Sequence, residues 1–216
     1  MADSSYKDWD LVYREYPASV LPWELGRPRK TLVDLIESGK VQHGNALDLC
    51  CGLGTNTIYM AQKGFEVVAT DISKHALRMA KEKAKQAKVE VEFVLASFVK
   101  LPFKNSMFDF VFDMGCFHHV ETEDRTEFIH GLHRILRPKA QYQLTCFSDR
   151  NGPAWNHFTR EQIANYFAEE FEFTSLEHFR SVEADNYPRF FYTVLMQSRR
   201  KPSKQTANKN HRHRDP

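Results

Sequence analysis

Short apolar runs alternate with segments of helical periodicity along most of the 216 residues. The run 46–49 is followed by small residues and then by a helical pattern from Thr57 to Gln62, which predicts a buried strand, a tight loop and a helix. Further runs predict strands over 65–70, 89–95, 108–112, 141–147, 171–176 and 190–196, and helices over 27–37, 74–87, 124–136 and from Thr159 to about Phe167. Strands separated by helices predict an α/β fold in which a parallel, doubly wound sheet carries helices on both faces.

Length and composition favour one soluble domain. With 42% hydrophobic residues, 216 residues are enough to build a single core. No apolar run is long enough for a transmembrane helix, so we expect no membrane partner. The first eight residues are polar and include acids, which is typical of neither a signal peptide nor a transit peptide, and we therefore expect a cytoplasmic protein.

The formal charge of +2 hides an asymmetry. Residues 198–216 carry a net charge of +6 and the rest of the chain −4. A basic terminal segment without apolar runs or aromatic residues predicts a disordered tail, and nucleic acid is not an expected partner. The four cysteines show no metal spacing and no disulfide framework, so we expect reduced, mostly buried thiols and no metal.

The strongest functional signal is the loop Cys50-Cys51-Gly52-Leu53-Gly54 together with Asp71, which ends the second strand 17 positions beyond Gly54. Glycines let a ligand approach the backbone closely, and an acid at this distance can accept bonds from ribose hydroxyls. A dinucleotide site would have a third glycine where Thr57 stands, and a phosphate loop would have Gly-Lys-Ser/Thr. A nucleoside without phosphates fits better.

On these residues the chain resembles the class I S-adenosylmethionine (SAM) methyltransferases, whose first motif is an acid, small residues and Gly-x-Gly. The family usually has a glycine where Cys50 stands. The resemblance implies SAM as cofactor and a seven-stranded, Rossmann-like, mostly parallel sheet with an antiparallel last strand. It makes Asp48, Cys50, Gly52, Gly54, Thr55, Asn56, Asp71 and Ile72 candidate cofactor-binding residues.

An aromatic segment precedes the loop, and its stretch Pro22-Trp23-Glu24-Leu25-Gly26 resembles the thiol, halide and thiopurine methyltransferase group. In that group tryptophans close over the cofactor, which makes Trp9, Tyr13 and Trp23 candidates for a lid. Simple packing of these aromatics on the core is the alternative. The resulting division is an aromatic and helical segment over 1–40, a SAM-binding core over 41–197 and the tail over 198–216.

The loops after the third and fourth strands supply the remaining candidates. Ser97 stands where the wider family has an aspartate for the adenine amino group, and Phe98 would contribute its backbone N–H. Asp113 and Gly115 follow the fourth strand, without the proline pair that holds planar amines in nucleic-acid and protein methyltransferases of the family. His118 and His119 are the candidate catalytic bases, since imidazole titrates near neutral pH. The alternative is that both histidines have only a structural role. Phe117, Trp155 and Phe158 are expected to wall an acceptor pocket.

The leading hypothesis is a SAM-dependent methyltransferase of a small molecule, with a thiol or similar soft nucleophile as acceptor. Two alternatives stay open: a methyltransferase of a protein or RNA tethered by the tail, and a SAM-binding protein without turnover. The sequence does not define the oligomeric state.

Overall fold

The computed structural model describes residues 8–153 and 156–199. Seven strands form one sheet in the order β3-β2-β1-β4-β5-β7-β6. The strands are β1 (Asn45–Leu49), β2 (Glu66–Asp71), β3 (Glu92–Leu95), β4 (Phe108–Met114), β5 (Leu136–Phe147), β6 (Phe171–Val182) and β7 (Pro188–Ser198). The helices are α1 (Trp9–Glu15), α2 (Lys30–Glu37), α3 (Thr55–Gln62), α4 (Lys74–Gln86), α5 (Arg125–Ile135) and α6 (Arg160–Phe167).

The sheet is parallel from β3 to β5, and β7 lies antiparallel between β5 and β6. This confirms the predicted Rossmann-like, mostly parallel sheet with an antiparallel last strand. Residues of β1 alternate between two core layers, because successive side chains of a strand point to opposite faces. Ala46 packs with α2 and α3, whereas Leu47 and Leu49 pack with α5 and α6.

The connections leaving β1 and β4 therefore run to opposite faces of the sheet. Met60 of α3 belongs to one core layer, and Phe128 and Leu132 of α5 belong to the other. Because β1 and β4 are neighbours, the strand order reverses between them, and this is where doubly wound sheets bind ligands.

Two helix starts agree with their predicted caps. The Ser73 hydroxyl accepts a hydrogen bond from the Ala76 N–H at the start of α4, and Thr159 with Gln162 forms a capping box on α6. The aromatic segment contains a helix, α1, which was not predicted because its seven residues are too few for a clear periodicity. Strands β6 and β7 are longer than predicted. The added half of β6, residues 177–182, is intermediate or exposed and mostly polar, and β7 gains two residues at each end, three of them polar.

Some expectations concern residues outside the described ranges. These are the polar first residues, Trp155 of the expected acceptor pocket and the basic tail beyond Arg199. Within residues 8–153 and 156–199, no helix combines the length and the apolar character that a membrane span requires.

Candidate cofactor and active site

Three buried aspartates stand at the carboxyl ends of the neighbouring strands β1, β2 and β4. Leu49 pairs with Thr70 on one side and with Asp113 on the other, so the three strands end at one edge. Asp48, Asp71 and Asp113 are 2%, 6% and 0% exposed. Desolvation raises the pKa of all three, to about 7 for Asp48 and for Asp113. Burial therefore favours the neutral, protonated form of these carboxyls.

Asp71 lies where the ribose acceptor was expected, but its carboxylate also organises the protein. Its two oxygens accept hydrogen bonds from the N–H groups of Gly52 and Ser73, both at 2.9 Å. A carboxylate has about four acceptor positions, so about two remain for a ligand. Asp71 thus fixes the glycine loop and the start of α4 while it retains acceptor capacity.

An apolar surface lies next to Asp71. Ile72 is 51% exposed, and Leu95, which pairs with Asp71 across the sheet, is 47% exposed. Two large aliphatic side chains left uncovered at the ligand edge fit the flat face of an adenine. Ile72 was among the predicted residues. Leu95 was not, because the sequence marks it only as the last residue of a strand.

The two glycines of the loop have different structural roles. Both have positive φ, 54° at Gly52 and 76° at Gly54, which disfavours other residues. Gly54 caps α3, and a methyl group built on it would lie 2.8 Å from the Cβ of Ala80. Close packing of α3 against α4 therefore explains Gly54 without a ligand, and its role toward the cofactor stays a prediction.

The expectation of reduced cysteines is wrong for one pair. The sulfurs of Cys50 and Cys116 are in bonding contact, and their Cα atoms are 5.7 Å apart, within the range of disulfides. Cys51 and Cys146 are free and buried, as expected. The pairing joins the loops after β1 and β4, which are 66 residues apart in sequence and adjacent only in the folded sheet.

The predicted lid aromatics form one cluster. The ring centroid of Trp9 is 6.5 Å from Tyr13 and 5.6 Å from Trp23, and the indole N–H of Trp23 donates to the Tyr13 hydroxyl at 3.1 Å. Trp9 also contacts His119, at 4.9 Å between centroids. Val12, Tyr13 and Leu21 are buried against Leu53 and Ala76. The segment therefore packs on the core beside the glycine loop and one candidate catalytic histidine.

Thr55 and Asn56 hold this segment in place. The Thr55 hydroxyl donates to the Glu24 carboxylate at 2.8 Å, and the Asn56 side-chain oxygen accepts from the Arg29 N–H at 2.9 Å. At the other end, Asp10 accepts from the Ser73 hydroxyl and the His75 N–H, both at 2.8 Å. Sequence reasoning missed Asp10 and Glu24 because their partners lie 31 or more positions away.

A buried ion pair ties the segment to the far end of the chain. Arg29 and Glu183, in the turn between β6 and β7, make two contacts at 2.8 and 2.9 Å, and their side chains are 9% and 2% exposed. Arg29 also donates to the Trp23 carbonyl at 2.9 Å, and the Ala184 N–H donates to the Pro22 carbonyl at 2.9 Å. The β6–β7 turn thus fixes the Pro-Trp-Glu stretch.

The two candidate catalytic histidines differ in environment. His118 is 5% exposed and stacks on Phe147 at 4.3 Å, and its Nδ1 has no hydrogen-bond partner among the described residues. Burial holds the pKa of His118 well below its ordinary value. His119 stands at the surface between Trp9 and His118, and partial desolvation lowers its pKa too. The buried His118 ring is therefore a weak base.

The remaining predicted residues are dispersed. Ser97 is exposed and its hydroxyl accepts from the Val99 N–H at 3.3 Å, while Phe98 packs near Phe128. Asp113 accepts from the Cys116 N–H and the Tyr142 hydroxyl, so both of its oxygens are engaged. Gly115, at φ 96°, lies against the His118 ring.

The expected pocket walls Phe117 and Phe158 are instead core residues, 0% and 1% exposed and stacked at 4.9 Å. Arg125 covers them, with its guanidinium 5.9 Å from the Phe117 ring and 4.8 Å from the Phe158 ring. The pocket prediction was wrong for both, because an aromatic residue in a loop can equally cover the core.

The strand order and the antiparallel β7 define a Rossmann-like α/β protein of the methyltransferase type. Residues 46–139 match the family model of the methyltransferase domain. An uncharacterized methyltransferase of Schizosaccharomyces pombe is 34% identical over 119 residues, which are 55% of this chain and 81% of that protein. The chain belongs to the methyltransferase family, and it is a class I SAM-dependent methyltransferase.

Two further relatives carry substrate names. The 2-heptyl-1-hydroxyquinolin-4(1H)-one methyltransferase of Mycobacteroides abscessus is 30% identical over 148 residues, 68% of this chain and 63% of that one. The probable thiol methyltransferase 2 of Arabidopsis thaliana is 29% identical over 157 residues, 70% and 67% of the two chains. A solved structure concerned with conversion of a disulfide bond into a thioacetal group during echinomycin biosynthesis has a TM-score of 0.80 at 24% identity, covering 90% of this chain and 92% of that one. It is similar in fold.

Proposed function

We propose that this methyltransferase transfers the methyl group of SAM to a small-molecule acceptor, and that the acceptor is a thiol or a comparable soft nucleophile. Asp71 would accept bonds from the ribose hydroxyls, and Ile72 and Leu95 would face the adenine, with Ser97 and Phe98 at its edge. Trp9, Tyr13 and Trp23 would cover the cofactor.

The observation that carries the acceptor class is the setting of His118, which is buried against Phe147 and has no hydrogen-bond partner on Nδ1 among the described residues. Methyl transfer from a sulfonium is an in-line displacement, for which the protein must align the acceptor and exclude water. A general base is needed when the acceptor keeps its proton at neutral pH. A buried imidazole with no acid bonded to its Nδ1 and a lowered pKa is poorly suited to that work.

A thiol does not need such a base. With a pKa of about 8.5, a free thiol is partly ionised at neutral pH, and the thiolate is a strong nucleophile. The likeness to the probable thiol methyltransferase of Arabidopsis thaliana supports the same class. So does the Pro-Trp-Glu-x-Gly stretch, which Arg29 and the β6–β7 turn fix beside the glycine loop.

The hydroxyquinolone methyltransferase relative supports a second candidate, an acidic hydroxyl acceptor. An acceptor that ionises readily would also proceed without a strong base, so both candidates share one requirement. They differ in the acceptor atom, and product analysis separates them.

The test is a panel of thiols, halides, phenols, N-hydroxy compounds and amines, scored by S-adenosylhomocysteine production and by mass of the methylated product. We expect turnover of thiols, with rates that climb with pH toward the thiol pKa. Turnover confined to hydroxyl compounds would replace the thiol assignment. Loss of turnover after removal of residues 200–216 would favour a macromolecular acceptor, and absence of turnover on every acceptor would favour a binding protein.

A further inference from the structure

The two paired cysteines lie on opposite sides of the crevice in which the cofactor is proposed to bind. Cys50 directly follows β1 and Cys116 follows β4 by two residues. The chain then continues to α3 on one face of the sheet and to α5 on the other. Loops that diverge in this way open a ligand crevice, and the Cys50–Cys116 contact spans its base.

The two cysteines differ in backbone conformation and in burial. Cys50 has φ 53°, a left-handed conformation that is strained for a non-glycine residue. It stands at the position where the family usually has a glycine. Cys116 is fully buried, and its N–H is held by the Asp113 carboxylate at 2.8 Å. The more exposed Cys50 side chain thus projects from a strained loop toward a partner that is fixed in the core.

We propose that Cys50 and Cys116 form a reversible disulfide that controls cofactor binding. This inference rests on the proposed SAM site. The dithiol form leaves the loops after β1 and β4 free to part and admit SAM. The disulfide form ties them together at the base of the crevice and weakens SAM binding.

The oxidant is a low-molecular-weight disulfide such as oxidised glutathione. The Cys50 thiolate attacks one of its sulfurs, breaks the sulfur–sulfur bond and releases one thiol, which forms a mixed disulfide on Cys50. The Cys116 thiolate then attacks the Cys50 sulfur and releases the second thiol. Two protein thiols are oxidised, one small disulfide is reduced to two thiols, and the two protons pass to the released thiolates.

Thermodynamic linkage gives the proposal two readouts. If oxidation weakens SAM binding by a factor, bound SAM must oppose oxidation by the same factor. Couplings between sites are typically about five- to 150-fold, and we expect roughly tenfold here. A cross-link with a purely structural role would show neither effect.

The experiment uses the full chain, equilibrated either with reduced or with oxidised glutathione, and titrates SAM calorimetrically. SAM binding and S-adenosylhomocysteine production by the reduced protein are measured first, so that failure of the proposed function is recognised separately. Intact mass should report the loss of two hydrogens, and peptide mapping should place the bond at Cys50–Cys116. The dissociation constant should rise roughly tenfold on oxidation, and saturating SAM should shift the oxidation midpoint to more oxidising buffers.

Cys116→Ala should abolish the redox dependence, whereas Cys146→Ala, which removes a free and equally buried thiol, should retain it. Equal dissociation constants in the two redox forms, tighter binding after oxidation, or a redox effect that persists in Cys116→Ala would overturn the proposal. So would failure of the wild-type pair to oxidise. If Cys116→Ala does not fold, the wild-type titration with its mapped bond still decides.

Discussion

The Tyr13 hydroxyl lies directly against the Cα of Gly52, so that a methyl group built on Gly52 would be 2.8 Å from the phenolic oxygen. This contact joins the aromatic segment to the glycine loop. Tyr13 is 7% exposed, and its hydroxyl also accepts from the Trp23 indole. The position of the segment and the shape of the loop are therefore coupled through one side chain.

Gly52→Ala should weaken SAM binding because it strains the loop and displaces Tyr13. Alanine at a positive φ costs about 1 to 2 kcal/mol, and the collision adds to this cost. Gly39→Ala is the matched control, since Gly39 has φ 68° and a methyl group added there would meet no atom within 4 Å. Thermal unfolding and SAM titration of both variants, with Gly52→Ala repeated in a Tyr13→Phe background, measure the coupling. Equal losses in the two glycine variants would contradict it.

Asp71→Ala should weaken SAM about tenfold or more, because hydrogen bonds to a charged group contribute about 1.5 to 3 kcal/mol each. The variant also loses the acceptor for the Gly52 and Ser73 N–H groups, so its melting temperature should fall. Asp34→Ala, which removes an exposed acid, is the control. Calorimetry should show the same dissociation constant for SAM in the control variant and in the wild type. An unchanged constant in Asp71→Ala would remove Asp71 from the cofactor site.

Asp48 and Asp113 should make the ligand-free protein less stable as the pH rises from about 4 through 7. Burial raises both pKa values to about 7, whereas an aspartate in the unfolded chain has a pKa of about 3.9. Between these values the folded protein binds more protons than the unfolded chain, so both carboxyls lower the free energy of unfolding as pH increases.

Asp113→Asn should remove part of that slope, since an amide does not titrate. Its oxygen can still accept from the Cys116 N–H, and its NH2 group can donate to the Tyr142 hydroxyl oxygen. Urea unfolding at several pH values between about 4 and 8 measures the slope for both proteins. Because other groups titrate in this range, the informative quantity is the difference between the variant and the wild type. A constant difference across the range would mean that Asp113 is ionised throughout.

Glu183→Ala should destabilise the protein by about 3 to 5 kcal/mol, because it leaves the buried Arg29 guanidinium without its counter-charge. The exposed pair Lys30–Asp34 is the comparison, and removal of Asp34 should cost less than about 1 kcal/mol. Chemical denaturation provides both values. Similar small losses of stability in the two variants would show that the Arg29 guanidinium becomes hydrated when Glu183 is removed.

His118→Ala and His119→Ala should each lower kcat/KM on a thiol by far less than the roughly 10²- to 10⁴-fold that loss of a general base causes. His118→Ala should lower stability as well, because it empties a buried site against Phe147. Steady-state kinetics on a thiol and on a phenol should be compared. A crippling loss on the thiol in either variant would establish a base and contradict the proposed acceptor chemistry.

Features that depend on local sequence were predictable. The apolar runs gave the strands, and Ser73 and Thr159 marked helix starts, because these signals lie within a few residues of the structure that they specify. The family likeness gave the antiparallel last strand. The loop and Asp71 were predicted to converge because parallel strands share one carboxyl edge.

Features that depend on packing between distant segments were not predictable. The Cys50–Cys116 contact requires that β1 and β4 be neighbours, and the Arg29–Glu183 pair joins residues 154 positions apart. Gly54 shows a subtler limit, since a glycine needed for α3 to approach Ala80 has the same letter as one needed for a ligand. Phe117 and Phe158 show a similar limit. The sequence does not reveal whether an apolar residue in a loop lines a ligand pocket or covers the hydrophobic core.

The position of β7 between β5 and β6 has a consequence for how the protein matures on the ribosome. The edge of β5 that faces away from β4 has no neighbouring strand until residues 188–198 have been synthesised. Strand β6 can join the sheet only through β7. The aromatic segment is made first but gains the Glu183 carboxylate only at this late stage. A nascent chain that stops before Glu183 would therefore expose a strand edge and lack the partner of Arg29, which makes stalled or truncated products prone to aggregation.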